Sequence, residues 1–351
     1  MTDLKSIFSR CDSLPLPIKK DEHWRFSNLA FWGGEVEKFL DFKSADSYGS
    51  FSGNKGVLEN PIAEKYLKIL LGGGKFDAYC ARNFANAKIF SVAKNAKAKI
   101  TSADFADVNI FEIEEGAQVD VFDEKFFECG KLSTLANFYF LKKGAKINVN
   151  TFYDSKENSP RYTRADFYLQ DGAQASDVFV ETGKSNTRAE RNFELAGKNS
   201  RADVAALFVS SDSITHDLRT RQHHSCPGAF SNLKVKNILF DTSRTAFAGL
   251  IRVDEDAQKT ESYQSCRSLL VSEKARASGM PVLEILANDV TCSHGCAVSQ
   301  PDREEIFYMK SRGLDEYLAQ KLLVGGFANE IIGRFGDKAF ASSVSEKISD
   351  L

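Results

Sequence analysis

Several things this sequence has little of already exclude whole classes of function. No stretch of the 351 residues approaches the ~18 consecutive apolar positions of a membrane-spanning helix. The opening residues, MTDLKSIFSRCDS, lack the apolar core of a secretory signal, so a soluble cytoplasmic protein is expected. Excess charge is missing as well. With 46 Lys and Arg against 48 Asp and Glu, the net charge is −2, and the basic face that nucleic acid requires is not there. Histidine is scarce, with five residues, and the seven cysteines are odd in number and scattered. That pattern argues against a disulfide framework and for a reducing compartment. The one glycine triplet, Gly72-Gly73-Gly74, has neither the spacing of a phosphate loop nor its Lys-Ser/Thr, and reads as a helix C-cap and linker.

What is present is ordinary in composition, 42% hydrophobic and 27% charged, but strongly patterned. Residues 1–87 read as a helical and irregular region. Leu4, Ile7, Phe8 and Cys11 share a helical face that ends before Pro15 and Pro17, and residues 63–71 form a short amphipathic helix. Residues 23–32, HWRFSNLAFW, hold both tryptophans and read as a small local core or a docking patch. From residue 88 the texture changes to short β-like runs after similar turns: KNAKAKIT, EEGAQVDV, KKGAKINV, QDGAQASDV. The Gly-Ala pairs begin at Gly116, Gly144 and Gly172, 28 residues apart each time, with Asn95 before them and Gly197 after. Repeats of that length leave no room for crossover helices and point to a parallel β-helix of about eight coils over residues 88–300. An antiparallel sandwich is the competing architecture. Residues 154–164, DSKENSPRYTR, interrupt the pattern and read as a loop. Residues 301–351 turn helical. Asp302 and Glu305 open a first helix that closes on Gly313, Asp315 caps a second through Leu323, and Gly325-Gly326 leads into a third. Such helices are expected to cap the open end of the solenoid.

Two stretches carry candidate ligands. In residues 281–300, PVLEILANDVTCSHGCAVSQ, the side chains of Cys292, His294 and Cys296 would share one face of a strand. The bland alternative is ordinary buried thiols and a hydrogen-bonded histidine, and C-x-H-x-C is not the spacing of a structural zinc site. His223-His224 with Cys226 invites a metal reading, but neighbouring side chains on a strand point oppositely and cannot easily share one ion.

The run GLIRVDEDAQKTESYQSCRSLLVSEKA, then PVLEILANDVTCSHG, then IFYMKSRGLDEYLAQKLLVGGFANEII, closely resembles the SufB/SufD family of iron–sulfur cluster assembly scaffolds. The resemblance is strong over residues 235–332 and weaker through the repeats and at Trp24-Arg25-Phe26-Ser27-Asn28-Leu29. Cys292-Ser293-His294-Gly295 looks like SufD, since SufB carries an acidic residue where Gly295 stands. The resemblance implies a right-handed parallel β-helix with helical ends and a non-enzymatic scaffold function. It also implies a SufB-like partner, a SufC-like ATPase on the C-terminal helices, and a transient iron–sulfur cluster at the subunit contact. By position His294 matches the SufD histidine implicated there, and imidazole and thiolate suit iron. Phe307, Tyr308, Arg312 and Gly313 are the candidates for the ATPase contact. Cys266 and Cys296 depart from the SufD pattern. Cys266 stands 28 residues before His294, one repeat away, so it is either a neighbouring ligand or an interior filler. The last strand is expected to be an edge open to a partner or a second copy. A purely structural subunit remains an alternative, as does a carbohydrate-active β-helix enzyme, although no carboxylate or basic cluster of that kind is evident.

Overall fold

The structure, a computed structural model, describes residues 4–24, 27–40, 57, 59–127, 130–155 and 160–349. Among the described residues sixteen strands wind into a parallel β-solenoid with two eight-stranded sheets. The odd sheet runs β1 (Lys88–Val92), β3 (Val108–Ile113), β5 (Ser133–Leu141), β7 (Arg161–Leu169), β9 (Thr187–Leu195), β11 (Thr215–His224), β13 (Arg244–Val253), β15 (Arg276–Ile285). The even sheet runs β2 (Lys97–Thr101), β4 (Gln118–Phe127), β6 (Lys146–Ser155), β8 (Gln174–Glu181), β10 (Arg201–Ser210), β12 (Phe230–Leu239), β14 (Glu261–Leu270), β16 (Thr291–Ser299).

The repeated turn sets the coil. Asn95, Gly116, Gly144, Gly172, Asn199, Gly228 and Lys259 all have φ between 56° and 71°, the left-handed region. Each donates its N–H to a carbonyl of the next coil's turn, from Asn95 to Glu115 through to Lys259 to Asp289. At the fifth turn the left-handed residue is Asn199, not Gly197. Gly197 serves close approach instead, since a Cβ there would lie 2.0 Å from the Asp171 nitrogen.

Inward side chains of the first coils are apolar. Phe90, Phe111, Tyr139, Phe167 and Phe193 stack as one ladder, with successive centroids 4.9, 4.7, 4.5 and 4.5 Å apart. The register partner of Phe193 is Gln222, and beyond it the interior becomes more polar. Residues 154–164 are not simply a loop: Asp154 and Ser155 end β6, and Arg161 begins β7. Arg161 is fully buried, paired with Glu181 at 2.5 Å and stacked over Phe127 at 3.9 Å. A buried ion pair lets polar letters occupy interior positions, which hid this strand start from the hydrophobic pattern.

Helices cover the flanks. α1 (Leu4–Ser13), α2 (Leu29–Trp32), α3 (Pro61–Gly72) and α4 (Lys75–Arg82) cover the odd sheet, the last three against its outer face and α1 packed on α4. There Trp24, Trp32, Tyr66 and Phe76 pack on Ile110, Ala136, Phe138 and Tyr162. The tryptophan stretch is thus core; Arg25 and Phe26 lie outside the described residues, as do the side chains of Leu4, Ile7 and Phe8. Cys11 is buried. Gly72-Gly73-Gly74 is a sharp joint between α3 and α4 rather than a linker. The Asp77 carboxylate accepts the Gly74 N–H at 3.0 Å, and a side chain on Gly73 would strike it. Arg188 ties His23, Trp24 and Ser27 to the sheet: it pairs with Glu190 and Asp217, donates to the His23 carbonyl and the Ser27 hydroxyl, and stacks on Trp24 at 3.6 Å.

The C-terminal helices are α5 (Arg303–Ser311), α6 (Glu316–Ile332) and α7 (Lys338–Ser349). They do not cap the end of the solenoid. α6 and α7 lie along the outer face of the even sheet, with Ala328, Ile331, Ile332, Val344 and Ile348 on Val178, Val180, Leu207, Val209 and Ile238. Those strands are apolar on both faces, so the sheet itself demands a cover there. α6 also continues through Gly325-Gly326 to Ile332 instead of breaking into a third helix, held by this packing. Among the described residues no helix is long and apolar enough to cross a membrane.

Candidate functional site

Because the helices lie on the flanks, the last coil is left bare. β16 is exposed along almost its whole length, and β15 is only half-covered. Thr291 donates its N–H to Thr260, so the alternation of a parallel ladder turns the N–H groups of Cys292, His294, Cys296 and Val298 away from β14. They form a free edge. Around it Leu286 and Val298 are exposed apolar side chains.

The inward face of this coil places the candidate ligands. Three residues of β16, Cys292, His294 and Cys296, are in register with Ser262, Gln264 and Cys266 of β14. Cys266 therefore neighbours Cys296, not His294. The last coil is 30 residues long rather than 28, as the pairing of Glu261 with Thr291 shows, and the two extra residues shift the match. Cys266 is 2% exposed and accepts a hydrogen bond from Asn237 Nδ2 at 3.6 Å. The neighbouring Cys296 thiol, and burial, push the Cys266 thiol up. Cys266 beside it holds the exposed Cys296 thiol down at about 7, against a smaller opposing effect of burial. Gly279 of β15 faces this pair. A Cβ there would lie 2.3 Å from Cys296 Sγ, so the glycine is what makes room for the sulfur.

Cys292 is half-buried beside Ile251, Val253 and Ala287, and burial raises its pKa. His294 is exposed. Successive members of the row are two residues apart, ~6.8 Å along the strand backbone, and each stands opposite a different residue of β14. Accordingly, among the described residues no group of three His, Cys, Asp or Glu side chains could hold a metal ion. Cys266 and Cys296 are brought together; His294 and Cys292 stand apart, each available to a ligand that arrives from outside.

The other histidine pair is structural. His224 points inward, buried, to Ser231 Oγ at 2.9 Å. His223 points outward and bridges Glu194 and Asp254, each at 2.8 Å. Cys226 donates to the Ala196 carbonyl at 3.0 Å. On α5, Phe307 is 73% exposed, and Tyr308 is exposed beneath the Arg312 guanidinium, whose Nη2 donates to the Tyr308 hydroxyl at 3.1 Å. Gly313, at φ 93°, ends this helix. Sequence reasoning missed Asn237, Gln264 and Gly279 around the thiols. Counting the last coil as 30 residues would have placed Gln264 beside His294 and Cys266 beside Cys296; no signal in the sequence marked Asn237 or Gly279.

Comparison with known proteins agrees in one direction. The family model described as SUF system FeS cluster assembly, SufBD core domain, matches residues 92–327. The iron–sulfur cluster assembly protein SufD of Escherichia coli K12 is 32% identical over 190 residues, 54% of this chain and 45% of SufD. A SufBD family protein of Synechocystis is 27% identical over 191 residues, covering 54% of this chain and 42% of the relative. A SufBD family protein of Mycobacterium leprae is 24% identical over 350 residues, covering 92% of this chain and 87% of the relative. The matched segment spans about half the length of the first two of these relatives.

Proposed function

Since the chain belongs to the SufBD family of SUF-system iron–sulfur cluster assembly proteins and is most like SufD, we propose that it is a scaffold subunit, without catalysis of its own, that offers the bare last coil to a SufB-like partner. A nascent iron–sulfur cluster is the cargo of that contact. One observation carries this reading: Cys292, His294 and Cys296 line an uncapped edge strand, and among the described residues they complete no three-ligand metal site of their own. Each side chain can supply a single ligand while the partner supplies the rest. Cys266, behind Cys296, is a further thiol on this face. The free N–H groups of β16 and exposed Val298 and Leu286 support strand-to-strand docking there. Phe307 and Tyr308, with Arg312, support the docking of a SufC-like ATPase on α5, which buries none of its side chains in this chain.

The lack of a three-ligand group among the described residues also favours a second reading, a structural subunit that braces its partner and ligates nothing. One experiment separates them. The chain is co-expressed with SufB-like and SufC-like subunits, and iron and acid-labile sulfide retained by the purified complex are measured. The scaffold reading expects His294→Ala to lower both several-fold with the complex intact; unchanged yield leaves the structural reading. The ATPase contact is tested with Phe307→Ala and Tyr308→Ala rather than by truncation after Pro301, because removing α6 and α7 would uncover Val178, Val180 and Leu207. Retained ATPase binding by the double variant would place that contact elsewhere.

A further inference from the structure

Cys266 and Cys296 stand directly opposite on neighbouring parallel strands. Adjacent strands are ~4.8 Å apart, inside the roughly 4.4–6.8 Å between Cα atoms that a disulfide spans. The Cys296 sulfur lies over Gly279, where a Cβ would stand 2.3 Å from it, so the glycine leaves that sulfur room to move. One thiol is buried and the other open to solvent at the end of the solenoid. From this geometry we infer that Cys266 and Cys296 are a redox-active pair that closes to an intrachain disulfide at the mouth of the solenoid.

The chemistry is that of a hydroperoxide acting on a dithiol. The exposed Cys296 sulfur attacks a peroxide oxygen, the O–O bond breaks, and a sulfenic acid forms with release of water from hydrogen peroxide. The Cys266 sulfur then displaces the sulfenic hydroxyl. The S–S bond forms as the S–O bond breaks, and the thiol proton leaves with the second water. Two thiols and one peroxide become one disulfide and two waters, and a thiol reductant returns the pair to its starting state. Cys292 cannot substitute for either partner. It lies four residues from Cys296 along the strand, ~13.6 Å away, beyond disulfide reach of Cys266.

Closure has two consequences. It ties β16 covalently to β14, and it removes both sulfurs from the set of thiolates that iron can meet at this end. Because Cys266 is reached only through its neighbour, it acts as the resolving thiol and spares Cys296 from irreversible oxidation.

The test uses the reduced full-length protein, treated with a stoichiometric amount of hydrogen peroxide and digested without reductant. Mass spectrometry is expected to find one cross-linked peptide joining Cys266 to Cys296, cleaved by dithiothreitol, in a chain lighter by two hydrogens. Cys292 remains alkylatable. In Cys266→Ser, Cys296 is expected to accumulate as sulfenic and then sulfinic acid, several-fold beyond the wild-type level. Oxidised Cys296 beside a free Cys266 thiol, a cross-link from Cys296 to another cysteine or a second chain, or equal sulfinic acid in both proteins would overturn the inference. This readout needs no metal and no partner, so it stands or fails apart from the scaffold function.

Discussion

The coil that passes through β7 and β8 and the coil that passes through β15 and β16 share strand length and parallel pairing. They differ in everything laid over them. Almost every residue of β7 and β8 is buried, by neighbouring coils above and below, by α3 and α4 on one flank and by α6 and α7 on the other. Inside, that coil holds a fully buried Arg161–Glu181 pair. β15 and β16 have a neighbour on one side only and no helix over them, and they face solvent with two thiols and an imidazole. In the first region side chains are held by their surroundings, and substitution is a question of stability. In the second they are held mainly by backbone register, and substitution is a question of binding.

The comparison breaks most visibly at the buried pair. Glu181→Ala leaves the Arg161 guanidinium charged and enclosed, an expected loss of about 3–5 kcal/mol in urea unfolding, whereas Cys296→Ala is expected to cost under about 1 kcal/mol. Equal losses would erase the distinction between the two coils.

Next in size is a pH effect from inside the solenoid. Burial holds the His216 and His224 imidazoles down at about 4. Unfolding returns each to about 6.5, so the unfolded chain binds more protons between those values. Stability is expected to be complete above pH ~6.5 and to fall by a few kcal/mol as pH drops toward ~4. His223, on the outside, works oppositely. Hydrogen bonding to Glu194, helped by Asp254, raises its pKa against its partial burial. Its contribution is present in full below the unfolded value and is lost as pH rises through the folded one. Thermal melts across pH for His223→Gln should lose only this alkaline-side decline; an unchanged profile would remove the His223 assignment.

A proline sharpens the contrast at the edge. Val298→Pro deletes an N–H that faces away from β14, so unfolding should shift by less than about 1 kcal/mol while association with a SufB-like subunit or a second copy weakens at least tenfold in sedimentation. Unweakened association would move the interface off β16.

The smallest effect lies in the corner turns. Lys259 adopts the left-handed backbone that glycine or asparagine adopts in the other coils, and its side chain is exposed. Lys259→Gly is expected to stabilise by about 0.5–1 kcal/mol and Gly144→Ala to destabilise by about 1 kcal/mol, read from urea midpoints. A destabilised Lys259→Gly would mean the lysine holds the last coil by a contact of its own.

The solenoid was legible because its turns repeat a phrase, GA after a charged residue, and the left-handed geometry that Gly and Asn permit is what each corner uses. The thiol–imidazole row was legible from its period of two. Three things were not. A spacing of 28 residues held from β4 through β8 but not for the last coil, where a 30-residue coil brings Cys266 to Cys296. The polar start of β7 was concealed by charge pairing that no hydrophobic pattern encodes. And the helical tail gave no sign of which surface it covers, since apolar residues at helical spacing fit a flank as well as an end.

One consequence of the flanking helices concerns motion. In a stack where each coil touches only its neighbours, opening spreads like a zipper from whichever end is least restrained. Here that end is β16, so amide exchange should be fastest there and slow progressively toward the aromatic ladder. Anything that docks on β16 becomes, in effect, the next tooth. Its binding would quieten the row of ligands and, with diminishing strength, the coils behind it, so that occupancy of one edge is felt as rigidity along the axis.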